Sequence, residues 1–516
     1  MSYSKTTRPR SAPARVGAAE PPSRTLGLCS AAAIITSLLI MVAAGLLRSS
    51  WMPPALTLPA SGPPWEVGPH VSTKIIVVAV WVAGFLGGGG VAAGLLAVRR
   101  RLPVPMRVIV VSAVIATLVL TVVPPTGSTD LLDYAIYGRI AAIGRSPYVM
   151  TPNQYRLLFH LHNGVPFDWA HAPSVYGPLA TAEQLVAARL GGASLVAATF
   201  YLKLINTAAF AAVAIVADRV LRADAGRRIR AHLLWTANPL LIWNMIAAGH
   251  VDVVGAALGL AGLLVADRWA VRSERLAAGA AAGVCIGAAV AIKADYLVFA
   301  AALAWALRRR PWQLLTAAAG AAVIIIPGYI VAGAPALKVL ASRSTGGLGN
   351  GFYGTVLLHL GLSLHYAEPI AALLLIPVAV LVVVKLPVVA DDRPAIRVAL
   401  ALSIAWLVLW PNQFAWYSVM IICVLIFYPS SRLDWIAIGW LTAITIADMP
   451  GIGFGRAAKT LGPALNLAQR QIGQRVTPPV MLAAAVALVV LCVTGAWNMR
   501  RNDRVGGLGL LKLLSS

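Results

Sequence analysis

Apolar runs and short polar segments alternate along most of the chain. The runs lie near 26–47, 73–98, 106–123, 194–217, 231–248, 251–266, 276–292, 295–307, 312–333, 367–385, 396–410, 415–428, 433–448 and 478–497. Most approach the roughly 20 residues that a helix needs to cross the hydrocarbon layer of a bilayer. None shows the strict alternation of a membrane barrel strand, and lipid offers no partner to an open backbone. The pattern predicts an all-α polytopic membrane protein with about 13–14 transmembrane helices, the shortest of them suited to half-helices or re-entrant segments. The longest stretch between runs, 124–192, is broken by Pro147, Pro152, Pro166, Pro173 and Pro178. It reads as short amphipathic helices lying on the membrane face rather than as a domain with its own core.

Composition agrees with that reading: 12% of residues are charged, where a soluble domain carries about 25%. The net charge of +24 would suggest a nucleic-acid partner if it formed a basic domain, but it does not. The cations sit in short loops, at Arg99–Arg101, Arg219–Arg230, Arg268–Arg275, Arg308–Arg310 and Arg500–Arg501. That is the positive-inside pattern, so nucleic acid is excluded and membrane lipid is the surrounding partner. It places both termini in the cytoplasm and 124–192 outside. Residues 1–24, basic and rich in Pro and Ser, predict a disordered cytoplasmic segment. Residues 25–498 form the transmembrane domain, and 499–516 a cytoplasmic tail. No Walker motif or GxGxxG in a strand–loop–helix context occurs, so a donor substrate would arrive through the membrane. No internal repeat is evident, which disfavours an inverted-repeat transporter.

The chain holds only 18 acidic residues, and all but Glu20, in the N-terminal segment, are placed one by one. Asp218, Asp224, Asp267, Glu274, Asp391, Asp392, Asp434 and Asp503 flank the basic loops and read as ordinary surface charge. Glu66, Asp130, Asp133, Asp168, Glu183, Asp252, Asp295, Glu368 and Asp448 map to the opposite side, where a carboxylate at membrane depth is costly and usually functional. Three clusters converge there. Asp130 and Asp133, at i and i+3, share a helix face with Tyr134 and Tyr137 beside them. Gly249-His250-Val251-Asp252 and Lys293-Ala294-Asp295-Tyr296 fall in two tight turns between spans. A carboxylate, an imidazole and an ammonium on one face suit a general base with phosphate recognition. Each has a structural alternative: Asp130 as a helix cap after Ser128-Thr129, His250 as an interface residue, Lys293 as a snorkelling cation. Lys203, inside a span, needs a partner of some kind. No GxSxG elbow is present, and His250 with Asp252 makes no metal site alone.

At these residues the sequence resembles a known family. "DLLDYAIYGRIAAIGRSPYVMTP" (Asp130 to Pro152), "SVYGPLA" (Ser174 to Ala180), "NPLLIWNMIAAGHVD" (Asn238 to Asp252) and "AIKADY" are similar to motifs of the GT-C glycosyltransferases. Among these, they resemble the actinobacterial polyprenol-phosphate-mannose-dependent α-1,6-mannosyltransferases of lipomannan and lipoarabinomannan synthesis. The likeness covers about residues 105–430; Val251 stands where that family usually has Asn. The resemblance implies transfer of mannose from a polyprenyl-phosphate donor to a lipid-anchored mannan acceptor outside the membrane, inverting at the anomeric carbon. It implies Asp130 as the base, with Asp133 second, and Lys293, His250, Arg139 and Lys203 toward the donor phosphate. Asp252, Asp295, Tyr134 and Tyr137 would support the site; Tyr148, Trp169, Tyr176, Trp416 and Tyr417 would stack on sugars. No cofactor is required, and a divalent metal stays open. Two alternatives remain: a GT-C enzyme using arabinofuranose or glucose, and a polyprenyl-sugar transporter or flippase. Thr345–Gly354 and Pro411–Tyr417 read as loops, the first suited to a lid. Oligomeric state is not indicated.

Overall fold

The computed structural model describes residues 24–49, 62–65, 67–159, 169–273, 275–342, 360–363, 366–388, 393–410, 413–449, 467–468, 471–472, 475 and 477–497. The terminal segments 1–23 and 499–516, Glu66, Asp168, Glu274, Asp391, Asp392 and the Thr345–Gly354 loop lie outside them. Among the described residues the chain is helical apart from a two-residue parallel pairing of Arg48–Ser49 with His70–Val71. Helices α1 (Thr25–Leu46), α2 (Thr73–Arg99) and α3 (Met106–Val122) lead into a connector carrying α4 (Asp130–Ala142), α5 (Pro152–Leu158) and α6 (Pro178–Leu190). Then follow α7 (Leu195–Val220), α8 (Ala225–Leu234), α9 (Pro239–Ile242), α10 (Asp252–Val265), α11 (Leu276–Ile292), α12 (Leu297–Leu307), α13 (Pro311–Ala332) and α14 (Ala334–Ser342). Helices α15 (Ala367–Lys385), α16 (Pro394–Leu409), α17 (Ser418–Leu425), α18 (Leu433–Asp448) and α19 (Thr477–Thr494) complete the described bundle. Among the described residues, five helices are long and apolar enough to cross a membrane, and seven shorter apolar helices accompany them.

The expected continuous span over 231–248 is instead two pieces. Pro239 has no amide hydrogen for a running helix, and Asn238 makes use of the break. Its side chain accepts from Leu240 N at 3.1 Å and donates to Leu234 O at 3.1 Å. A π-turn, Trp243–Ala247, follows α9. This brings the chain to the His250 turn, at Gly249, with φ of +77°.

Helix α4 does not expose one face as an amphipathic surface helix would. Ten of its thirteen residues, including both aspartates, are buried, between α6 and α7. Gly138 makes that packing possible: a Cβ there would collide with the Gln184 carbonyl of α6. Asp434 and Asp267 also depart from the surface-charge expectation. Asp434, 2% exposed, accepts two hydrogen bonds from the buried Arg230 guanidinium, at 2.7 and 2.5 Å. Asp267 accepts from the amides of Ala395 and Ile396, at 2.8 and 3.1 Å, and so caps the N-terminus of α16 from another helix. A buried carboxylate is tolerated where such partners replace water.

Candidate active site

The site forms where α4, the 247–252 turn, the end of α11 and the short 3₁₀ turn Ala415–Tyr417 meet. Asp130 is the first residue of α4, and its amide donates to Ser128 Oγ at 3.1 Å. Ser128 therefore tethers the helix start. The Asp130 carboxylate lies 3.8 Å from His250 Nδ1, both residues nearly inaccessible to solvent. Asp133 is buried one turn further along.

The His250 turn is held from α7. Asn206 Nδ2 donates to the carbonyls of Met245 and His250, at 3.3 and 3.2 Å. Gly249 faces Leu131 of α4 so closely that a Cβ would lie 2.6 Å from the leucine side chain. Among the described residues, neither His250 ring nitrogen has a hydrogen-bond partner. Burial, then the neighbouring Lys293 charge, holds its pKa well below the usual imidazole value, so the ring is neutral at pH 7.

Lys293 closes the other side. Its ammonium lies 2.8 Å from Asp252 Oδ1 and 3.3 Å from Asp295 Oδ2, with the Tyr417 ring 4.3 Å away. Burial disfavours the ammonium, but Asp252, Tyr417 and Asp295 outweigh it and raise the Lys293 pKa well above its ordinary value. The second Asp252 oxygen is buried with no hydrogen bond from the described residues. Tyr296 donates to the Asp252 carbonyl and fixes the start of α10. Tyr134 and Tyr176 share a hydrogen bond of 2.8 Å, rings edge to face. Burial keeps both hydroxyls protonated far above neutral pH.

The remaining expected residues separate. Lys203, fully buried, donates to the Val123 carbonyl at the end of α3, at 2.9 Å. That acceptor accounts for a cation inside a span, so the structure gives Lys203 a helix-end partner rather than a place facing phosphate. Arg139 donates to the Gly192 carbonyl between α6 and α7; that bond holds its guanidinium at a helix junction. Tyr137 donates to Ala172 O at 3.0 Å, Tyr148 pairs with Thr181 Oγ1 at 2.8 Å, and Trp169 lies in a turn whose carbonyl receives the Ala172 amide. Trp416 is also reassigned. His250 stacks on it at 3.8 Å and 18°, and Phe414 at 4.6 Å and 1°. Two rings parallel to one indole at these distances cannot share a face without overlapping, so both faces are covered and neither is open to a sugar.

Sequence reading missed Asn206, Phe414 and the role of Asp448, whose carboxylate accepts from Ala415 N at 3.0 Å. Only Asp448 carried a signal, as an acid at a span end. Among the described residues, no group of three or more His, Cys, Asp or Glu could hold a metal ion.

A multi-pass helical membrane protein with a buried carboxylate–imidazole–ammonium cluster at one end of its bundle is the class that fold and site define. The comparisons with known proteins are narrower. The family described as "Alpha-(1->6)-mannopyranosyltransferase, N-terminal domain" matches residues 31–309, more than half of the chain. The chain belongs to that alpha-(1->6)-mannopyranosyltransferase family. A probable alpha-(1->6)-mannopyranosyltransferase of Mycolicibacterium smegmatis is 29% identical over 147 residues, 28% of this chain and 26% of that protein. An alpha-(1->6)-mannopyranosyltransferase of Mycobacterium tuberculosis is 29% identical over 150 residues, 29% of this chain and 25% of that protein. The match spans about a quarter of the length of these curated relatives. ArnT from Cupriavidus metallidurans, solved in the apo state, aligns with a TM-score of 0.41 and 15% identity, over 75% of this chain and 76% of that chain.

Proposed function

We propose that this chain is an inverting mannosyltransferase of the cell membrane. It moves mannose from polyprenyl-phosphate mannose to a lipid-anchored α-1,6-mannan acceptor at the extracytoplasmic face. The observation that carries this reading is the buried Asp130 carboxylate beside a neutral imidazole, close to a charged Lys293, at the ends of membrane helices. A lipid-linked donor presents its phosphate at that depth.

In this mechanism the acceptor hydroxyl oxygen attacks the anomeric carbon of the mannose. The bond from that carbon to the phosphate oxygen breaks, and its electron pair leaves with polyprenyl phosphate. The hydroxyl proton passes to Asp130, with Asp133 the second candidate for that role. A β-linked donor then gives an α-linked product. One base suffices, because phosphate departs without strong acid assistance. Lys293 meets the phosphate by exchanging one of its carboxylate partners for a phosphate oxygen. Apolar helix faces hold the prenyl chain. A divalent ion, if used, would take part of its shell from the donor phosphate, as ions with few protein carboxylates do.

The test uses protein in lipid nanodiscs with polyprenyl-phosphate mannose and a short α-1,6-mannoside. Wild type should form the extended mannoside, and a folded Asp130→Asn variant should lose on the order of 10²–10⁴ in rate. Equal rates would remove Asp130 as the base. Transfer of arabinofuranose or glucose instead of mannose would keep the chemistry and change the sugar. No transfer from any lipid-linked sugar would refute the enzyme reading.

A further inference from the structure

We propose that Trp416 is a positioning residue that holds the His250 imidazole beside the Asp130 carboxylate, with Phe414 backing it from behind. The proposal deepens the reading of Asp130 as the base and rests on it.

His250 is restrained at its backbone and by stacking of its ring. Its backbone is fixed by Asn206, but neither ring nitrogen is hydrogen-bonded to a described residue. A functional imidazole is ordinarily oriented by a hydrogen bond to one of its nitrogens. Here the stack on Trp416 takes that part, because it is the contact that fixes the plane of the ring. Trp416 in turn is 6% exposed and covered on its far face by Phe414. The 3₁₀ turn that carries it is anchored on both sides: Ala415 N donates to Asp448, and Tyr417 covers the Lys293 ammonium. One three-residue turn thus touches the groups that surround the reacting centre, and the stack transmits its position to His250.

The arrangement leaves both imidazole nitrogens to the reaction. Nδ1 lies 3.8 Å from Asp130 Oδ2, beyond hydrogen-bond distance. That gap suits a contact which tightens or is bridged when an acceptor hydroxyl arrives. The ring therefore orients the hydroxyl or the carboxylate without taking the proton itself. The charged groups around it are Asp130 on α4, Asp252 on α10, Lys293 and Asp295 after α11, and Asp448 on α18.

Steady-state kinetics of Trp416→Leu, Trp416→Phe and Phe414→Leu in nanodiscs test this. A positioning residue predicts that Trp416→Leu lowers kcat on the order of 10²-fold, shifts the pH profile of kcat and leaves the acceptor KM near its starting value. Trp416→Phe, which keeps a flat ring, should restore most of kcat. In a His250→Gln background Trp416→Leu should cost nothing more, since coupled residues are not additive. A raised KM with kcat and its pH profile unchanged, or the same loss in both backgrounds, would overturn the proposal and return Trp416 to substrate contact. If Trp416→Leu does not fold, Phe414→Leu carries the same comparison.

A second readout needs no turnover: ¹⁵N spectra of the histidine side chains, with the His250 signal assigned by its loss in His250→Gln. In Trp416→Leu that signal should titrate at higher pH than in wild type, because water reaches a ring that burial now keeps neutral. An unchanged titration overturns the proposal. If wild-type protein transfers no sugar, the assigned function fails, while this titration still decides whether Trp416 holds His250.

Discussion

The substitution Gly249→Ala isolates how closely the His250 turn is fitted to the helix that carries Asp130. Two separate costs are written into the structure. Gly249 has φ of +77°, a left-handed conformation that costs an L-residue roughly 1–2 kcal/mol. Its added Cβ would also lie 2.6 Å from Leu131 Cδ2 and 2.9 Å from Cδ1. Leu131 is fully buried on α4, so its side chain must repack against its neighbours or the helix or turn must shift, at about 1–3 kcal/mol for overpacking. Gly144 supplies the control. It has a similar φ of +75°, and a methyl group added there would meet no described atom within 4 Å, so Gly144→Ala carries the backbone cost alone. Gly249→Ala should therefore be the less stable variant by about 1–3 kcal/mol, read as the difference in thermal unfolding in nanodiscs. Where the backbone of α4 gives way at Leu131 it carries the neighbouring Asp130 with it, and a displacement of about 1 Å at a reacting centre costs on the order of 10²-fold in rate. Mannosyl transfer should fall by that amount in Gly249→Ala and stay close to wild type in Gly144→Ala. Equal stability and equal activity in the two variants would refute the claim that the Gly249–Leu131 contact sets the site.

Three further outcomes follow from the same geometry. Lys293→Met leaves the buried Asp252 and the half-buried Asp295 without their cation and should cost about 3–5 kcal/mol; Asp252→Asn in the same chain should recover part of it, which a double-mutant cycle in thermal unfolding measures. Asn206→Leu removes two hydrogen bonds to the carbonyls of Met245 and His250, at about 2 kcal/mol in all, and should lower transfer together with stability, because the turn loses its tether. Glu183, on α6, has its pKa raised by burial to about 8. The folded state thus holds a proton more tightly than the unfolded chain, so the contribution is full below the ordinary carboxylate pKa and is lost as pH rises through about 8; Glu183→Gln should raise the melting temperature at pH 9 and change it little at pH 4.5.

The site was partly legible in the chain because charge is scarce. In so apolar a sequence, Asp130, His250, Asp252, Lys293 and Asp295 stand out at the ends of hydrophobic runs, and the structure brings these five together. Asn206 gave no such signal, since an amide within a span looks the same whether it holds a turn or faces a neighbouring helix. Phe414 and Trp416 were equally silent about their partners: an aromatic residue near a span end is compatible with an interface, a sugar or another ring.

Hydropathy by itself determined the class of protein, because a backbone in lipid must satisfy its own hydrogen bonds and long apolar runs leave only helices to do so. It could not decide which apolar face meets lipid and which meets protein, since both surroundings favour the same side chains. Only the tertiary structure therefore buried α4 between its neighbours, whereas the break of the run over 231–248 comes from Pro239 and its Asn238 cap, which hydropathy does not register. The tertiary structure also gave Lys203 the end of α3, Arg139 the Gly192 carbonyl, and both faces of Trp416 to His250 and Phe414. Each of those outcomes depends on which groups become neighbours across the bundle, and a buried polar or aromatic side chain takes whatever partner is within reach once water is gone.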